Sequence, residues 1–92
     1  MVSCRRSGNT ATFDILNKYF SISGMPIATS RYWNNIHGFT AEDARKDLEG
    51  LQTMRNLGHS MAFLVKSIAL GKEQLGAPAF DRSAFTSFPD GK

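Results

Sequence analysis

The chain has 92 residues, 41% of them hydrophobic and 21% charged, and its formal net charge is +3. That length allows one small domain with a limited core, and the composition is typical of a globular protein rather than a disordered one. The single cysteine, Cys4, excludes an internal disulfide and a thiolate metal cluster. The chain has no apolar run long enough for a signal peptide or a membrane span, so we expect a cytoplasmic protein with no membrane partner. We also expect no metal.

The first predicted elements are a short strand and a helix. Met1–Cys4 is β-prone and runs directly into a basic turn. Asn9 and Thr10 are both able to cap a helix, and apolar residues recur on one face from there to Phe20. We therefore predict an amphipathic helix of about three turns.

A second strand is predicted at Met25–Thr29, with Pro26 at its start or on a sheet edge because proline has no N–H. Two parallel strands joined by a crossover helix would bring the loops Arg5–Asn9 and Arg31–Gly38 to the carboxyl edge of one sheet. Open α/β folds bind their ligands at that edge. Arginines, a glycine and aromatic residues there would suit a flat, anionic ligand.

The rest of the chain predicts one long helix followed by an irregular tail. Thr40 begins a capping-box-like sequence, and apolar residues then recur at helical spacing to Gly71. Gly50 and Gly58 interrupt this pattern and are expected to allow a close packing contact or a bend. In the tail, residues 76–92, phenylalanines at no regular period are expected to pin the chain: Phe80, Phe85 and Phe88.

Four segments carry a resemblance to a known family. They are, in chain order, Arg5-Arg6-Ser7-Gly8-Asn9-Thr10-Ala11-Thr12-Phe13, Ile22-Ser23-Gly24-Met25-Pro26-Ile27, Arg31-Tyr32-Trp33-Asn34 with His37-Gly38, and Glu49-Gly50-Leu51-Gln52-Thr53-Met54-Arg55. Together they resemble the flavodoxin-like, FMN-binding, NAD(P)H-dependent oxidoreductases and their iron–sulfur flavoprotein relatives. The match covers Val2 to about Ala69 and corresponds to the carboxyl-terminal half of such a protein.

The resemblance implies an α/β, partial flavodoxin-like fold over residues 1–75, with one βαβ unit of parallel strands, a long carboxyl-terminal helix and an irregular tail. It implies FMN as cofactor and NAD(P)H as electron donor, with a small-molecule electron acceptor. No catalytic residue is assigned. The residues expected to hold the flavin are Arg5, Arg6, Ser7, Gly8, Asn9, Thr10, Tyr32, Trp33, Asn34 and His37.

Each of these assignments has a plainer alternative. Arg5–Gly8 can be a solvated turn, and Tyr32 and Trp33 can be core anchors or dimer contacts. His37 can hydrogen-bond a flavin carbonyl or act as a proton donor, but a loop histidine is more often a surface residue. Nucleic-acid binding is not expected, because acidic residues interleave with the basic ones on the long helix.

Two parallel strands and two helices cannot close a sheet, so the physical argument and the family comparison both indicate an incomplete unit. We expect a truncated form without the phosphate-binding loop, inactive as an enzyme on its own. A homo-oligomer or a complementing chain would complete it. The alternative function is a non-catalytic assembly or regulatory module that uses the βαβ unit and the long helix as an interaction surface.

Overall fold

The computed structural model describes residues 2–81, 84, 86 and 87. Its elements are strand β1 (Val2–Cys4), helix α1 (Asn9–Ile22), strand β2 (Asn35–His37), helix α2 (Ala41–Ala44) and helix α3 (Leu48–Leu75). The two strands are parallel and form a two-stranded sheet, with Val2, Ser3 and Cys4 opposite Asn35, Ile36 and His37. An α/β arrangement of parallel strands and a long carboxyl-terminal helix is therefore confirmed.

The position predicted for the second strand is wrong. Met25–Thr29 has no regular secondary structure, and the partner of β1 lies ten residues later. The backbone N–H of Val2 donates to the carbonyl of Asn34 at 3.0 Å, and the N–H of Gly38 donates to Cys4 at 3.0 Å, so the ladder is centred on β2. Pro26 has no N–H to give to a ladder, and Ala28 instead accepts a hydrogen bond from the Asn34 side chain at 3.3 Å.

This shift changes the edge of the sheet that each loop occupies. The residues that follow β2 at its carboxyl end are Gly38 and Phe39, beside the Arg5 turn that follows β1. Tyr32 and Trp33 precede β2 and lie towards its amino end. The expectation that both predicted loops emerge together from the carboxyl edge is wrong for these two aromatic residues.

Helix α1 begins where predicted and ends two residues later. Gly8 precedes it in the left-handed region, with φ of 89°, a conformation that glycine adopts without a steric penalty. The helix ends at Ser23, whose backbone N–H and hydroxyl both donate to the carbonyl of Tyr19. On its apolar face Phe13 is half-buried, whereas Leu16 and Phe20 remain exposed.

The single long helix predicted from Thr40 is divided into two. Thr40 caps the short α2 by accepting a hydrogen bond from the N–H of Asp43 at 3.2 Å, as its sequence indicates. The chain then makes a turn, in which the N–H of Asp47 donates to Ala44, and Asp47 caps α3. Helix α3 continues four residues past Gly71 and ends at Leu75. It is followed by Gly76, whose φ is 75°.

Little of this architecture is packed. No hydrophobic side chain among the described residues is fully buried; the buried polar residues are Asn9, Asn34 and Thr53. The radius of gyration is 18.4 Å, against about 12 Å for a compact domain of this length. Helix α3 packs on β2 through Gly50, where an added Cβ would lie 2.8 Å from Ile36. Gly50 thus allows the expected close contact, whereas nothing lies within 4 Å of a Cβ added at Gly58.

The tail has no regular secondary structure at residues 76–81, 84, 86 and 87. Phe80 is exposed and does not pin it. The predictions made for Met1, Phe85 and Phe88 lie outside the described residues. None of the described helices combines the length and the apolar character needed to cross a bilayer.

Candidate functional site

The first turns of α1 and α3 lie on either side of a cleft of about 320 Å³ beside β2. This interhelix cleft has a volume at the lower end of the range for small-molecule sites, about 300 to 1,000 Å³. It brings together five of the ten predicted site residues, Asn9, Thr10, Tyr32, Trp33 and His37. The other residues that line it are Asn35, Asp47, Glu49, Gly50 and Thr53.

Both nitrogens of the His37 ring face a polar side chain. The Asp47 carboxylate accepts a hydrogen bond from the backbone N–H of His37 at 2.8 Å and lies 3.6 Å from Nδ1 of the ring. On the other side, the amide nitrogen of Asn9 is 3.1 Å from Nε2. Because Oδ1 of Asn9 already accepts from the N–H of Thr10 at 3.0 Å, the Asn9 amide presents a donor to the ring. This arrangement favours the Nδ1–H tautomer of a neutral His37 ring, with Nε2 as acceptor.

Asp47 joins the end of β2 to the start of α3. Its Oδ1 accepts from the N–H of Gly50 at 2.9 Å, which caps the helix, while Oδ2 faces His37. The hydrogen bonds from Gly50 and then from His37 hold the pKa of the Asp47 carboxyl below its ordinary value, against a smaller opposing effect of burial. The carboxylate is thus kept ionised beside the imidazole.

Two aromatic side chains, Tyr32 and Trp33, also line the interhelix cleft. Tyr32 and Trp33 are 66% and 54% exposed, with ring centroids 6.1 Å apart at an angle of 40°. Phe13 of α1 lies 6.1 Å from Trp33 on the other side, tilted by 44°. Large rings that are open on one face are well suited to cover a flat ligand.

Asn35, on the floor of the cleft, has a buried acceptor without a partner. Its Oδ1 receives no hydrogen bond from any residue that the structure describes. A buried oxygen left in this state costs about 1 to 3 kcal/mol. The atom has almost no accessible surface, so a ligand N–H reaches it only when the Asn35 side chain turns towards the cleft.

The remaining predicted residues lie elsewhere. Arg5, Arg6, Ser7 and Gly8 are exposed in the turn after β1, outside the lining of the interhelix cleft. The guanidinium of Arg5 lies 4.5 Å above the centroid of the Phe39 ring, a cation–π contact between the carboxyl ends of the two strands.

Asn34 connects the loop before β2 to the sheet. It is 5% exposed, its Oδ1 accepts from the hydroxyl of Ser30 at 2.7 Å, and its amide donates to Ala28. It lines a second cleft of about 350 Å³, the loop cleft, on the other side of the aromatic pair. The loop cleft is formed by Phe13, Asn17, Ile27, Thr29, Ser30, Arg31, Tyr32, Trp33 and Asn34.

Sequence reasoning missed the half of the interhelix cleft that α3 contributes. The sequence places Asp47 on the mixed, solvated face of one long helix, because acidic residues there interleave with Arg45 and Lys46. The available signal was the side chain itself, since aspartate is among the preferred residues at the amino end of a helix. Asn35 was placed in a loop, whereas it begins β2.

The charges around the interhelix cleft favour a neutral or weakly polar ring over an anion. Asp47 and Glu49 line it, and no lysine or arginine does. The described residues contain no group of three or more His, Cys, Asp or Glu side chains that could hold a metal ion.

No family model, no curated protein and no solved structure matches the chain.

Proposed function

We propose that the chain is the ring-binding half of a flavodoxin-like, FMN-dependent NAD(P)H oxidoreductase and that the isoalloxazine occupies the interhelix cleft. The observation that carries the proposal is the unpartnered Oδ1 of Asn35 below the Tyr32–Trp33 wall. The pyrimidine edge of a flavin offers one N–H between two carbonyl groups. That N–H would satisfy Asn35 once its side chain turns towards the cleft, while the ring lies against the aromatic side chains.

The residues present fit the ring and do not fit the phosphate. Thr10 and Asn35 offer polar groups to the ring edge, and the cleft is large enough for a ring system. A phosphate would be repelled by Asp47 and Glu49, the charged residues that line the cleft. The cleft therefore suits the ring of the cofactor better than its phosphate.

When bound, FMN would supply the redox chemistry, taking electrons from reduced nicotinamide and passing them to a small acceptor. The chain's own residues would bind and orient. Tyr32 and Trp33 would cover one face of the ring and exclude water. His37, which lies between Asp47 and Asn9, would present its imidazole at the cleft. A cytoplasmic location belongs to the same proposal.

The test is flavin binding, followed from the ligand side by saturation-transfer NMR. Riboflavin should bind with a Kd on the order of 0.1 to 1 mM, about 5 kcal/mol. FMN should bind no more tightly, because no cation lines the cleft. Asn35→Ala and Trp33→Ala should each weaken binding by about 5-fold or more.

Asn17→Ala is the matched control, because Asn17 lines only the loop cleft. It should leave riboflavin affinity unchanged. Absence of binding at the solubility limit, an FMN affinity tenfold above that of riboflavin, or equal losses in Asn17→Ala and Asn35→Ala would contradict the proposed ring site.

The second candidate is a non-catalytic assembly module that uses the βαβ unit and α3 as an interaction surface. It is favoured by the absence of any fully buried hydrophobic side chain among the described residues. A colourless preparation that does not bind riboflavin but forms a defined oligomer would support this candidate over the first.

A further inference from the structure

The loop cleft differs from the interhelix cleft in the sign of its charge. Among the described residues that line the loop cleft, Arg31 carries the one formal charge, and no aspartate or glutamate is present. The interhelix cleft has the opposite character, because Asp47 and Glu49 line it and no described lysine or arginine does. An anion is therefore favoured in the loop cleft and disfavoured in the interhelix cleft.

The rest of the loop cleft is largely aromatic. Phe13 and Trp33 line it with their ring centroids 6.1 Å apart, and Ile27 and Tyr32 complete its apolar lining. Its volume of about 350 Å³ lies within the range for small-molecule sites, about 300 to 1,000 Å³. Rings of this kind give an aromatic ligand offset-stacked or edge-to-face contacts beyond the area that they bury. The lining therefore suits a small aromatic group.

Hydrogen bonds within the loop hold the walls of this cleft. Asn34 is 5% exposed, its amide donates to the carbonyl of Ala28 at 3.3 Å, and its Oδ1 lies 2.7 Å from the hydroxyl of Ser30. The same hydroxyl lies 2.7 Å from the carbonyl oxygen of Tyr32. These contacts close the loop on itself between positions 28 and 34. A site held in this way loses less conformational freedom when a ligand binds.

Three polar side chains of the lining have no hydrogen-bond or ion-pair partner among the residues that the structure describes. They are Asn17, Thr29 and Arg31. The guanidinium of Arg31 offers parallel N–H groups that match the two oxygens of a carboxylate. The Asn17 amide and the Thr29 hydroxyl are further donors. A carboxylate attached to an aromatic ring would use these donors and the apolar walls together.

We propose that the loop cleft binds a small aromatic carboxylate, with its ring against Phe13 and Trp33 and its carboxylate on Arg31. One guanidinium balances one negative charge, so a monocarboxylate is preferred to a doubly charged phosphate ester. The proposal does not rest on flavin binding. The two clefts share Tyr32 and Trp33 but differ in their charged residues, so either proposal can fail alone.

The experiment is saturation-transfer NMR of the full chain at neutral pH with 2-naphthoate and its uncharged analogue 2-naphthamide. The carboxylate should bind with a Kd on the order of 1 mM or lower, and the amide should bind about 5-fold or more weakly than the carboxylate. The factor is modest because Arg31 is exposed and water screens its charge.

Two variants of equal charge change test the role of the guanidinium. Arg31→Met keeps an apolar stem and should weaken 2-naphthoate binding by about 5-fold or more, while 2-naphthamide changes by less than about 2-fold. The unchanged amide shows that the cleft persists in this variant. Arg6→Met is the matched control, because Arg6 is exposed and lines neither cleft. It should change the affinity for 2-naphthoate by less than about 2-fold.

A second measurement locates the ligand without a substitution. In ¹H–¹⁵N spectra of the parent chain, 2-naphthoate should shift the signals of Thr29, Arg31 and the Asn17 side-chain amide, and leave those of Gly50 and Thr53 in place. The proposal is overturned by absence of saturation transfer at about 10 mM ligand, by equal affinities for the carboxylate and the amide, by equal losses for both ligands in Arg31→Met, by equal losses in the two arginine variants, or by shifts centred on Gly50 and Thr53.

Discussion

Gly50 and Gly58 lie eight residues apart in α3, and the same substitution by alanine should have opposite effects at the two sites. A Cβ at position 58 meets nothing within 4 Å. There Gly58→Ala removes the entropy cost of glycine in a helix and should raise the free energy of unfolding by about 1 kcal/mol.

At position 50 the new methyl group has no room. It would lie 2.8 Å from Cγ1 of Ile36 and would also contact the Asp47 carboxylate. Ile36 must retreat by about 0.7 Å to restore normal carbon contact. Overpacking of this kind costs about 1 to 3 kcal/mol, and displacement of Asp47 threatens a cap worth about 1 kcal/mol. Gly50→Ala should therefore lower the free energy of unfolding by about 1 to 3 kcal/mol.

The assay is urea unfolding followed by far-ultraviolet circular dichroism at one fixed protein concentration, since any self-association would make apparent stability depend on concentration. The difference between the two variants should be about 2 to 4 kcal/mol. If Gly50→Ala is as stable as the parent chain, or if Gly58→Ala is the less stable of the two, the packing of α3 on β2 through Gly50 is incorrect.

Three further predictions concern the side-chain contacts. Asp47→Ala should lower the free energy of unfolding by about 2 kcal/mol at neutral pH through loss of the cap and of the hydrogen bond from His37. Because the pKa of folded Asp47 is depressed, the difference between the variant and the parent chain should shrink as pH falls below about 4. A constant difference down to pH 2 would argue against these roles of Asp47. In ¹⁵N NMR spectra above pH 8, His37 should show a protonated Nδ1 and an unprotonated Nε2. Asn9→Ala should change the chemical shift of Nε2, and the opposite tautomer would remove Asn9 from the site. A double-mutant cycle of Arg5→Met and Phe39→Leu should give a coupling energy of about 0.5 to 1 kcal/mol, and additive effects would show that the stacked contact contributes nothing.

Periodicity predicted the helices well and the second strand poorly. The face of α1 and the long repeat of α3 involve many residues, so one exception does not obscure them. A three-residue strand has no such redundancy. Met25–Thr29 has the stronger β-propensity, but Asn35–His37 forms the ladder because Asn34 and Gly38 supply the flanking backbone hydrogen bonds to β1.

The site was predicted in part for a related reason. Asn9, Thr10 and His37 were found because they follow or begin recognisable elements. Asp47 was not found, because its role depends on a break in the helix that the apolar spacing of Ala44 and Leu48 conceals. Which residue caps a restarted helix is decided by the turn, in which the N–H of Asp47 donates to the carbonyl of Ala44.

The position of Trp33 has a practical consequence for every optical titration of this protein. Its indole lines both the interhelix cleft and the loop cleft. As the sole tryptophan of the chain, it would report a guest in either cleft through the same fluorophore. A bulky replacement at Thr53 should fill the interhelix cleft, and one at Thr29 should fill the loop cleft. Comparing the two variants therefore shows which cleft the ligand occupies.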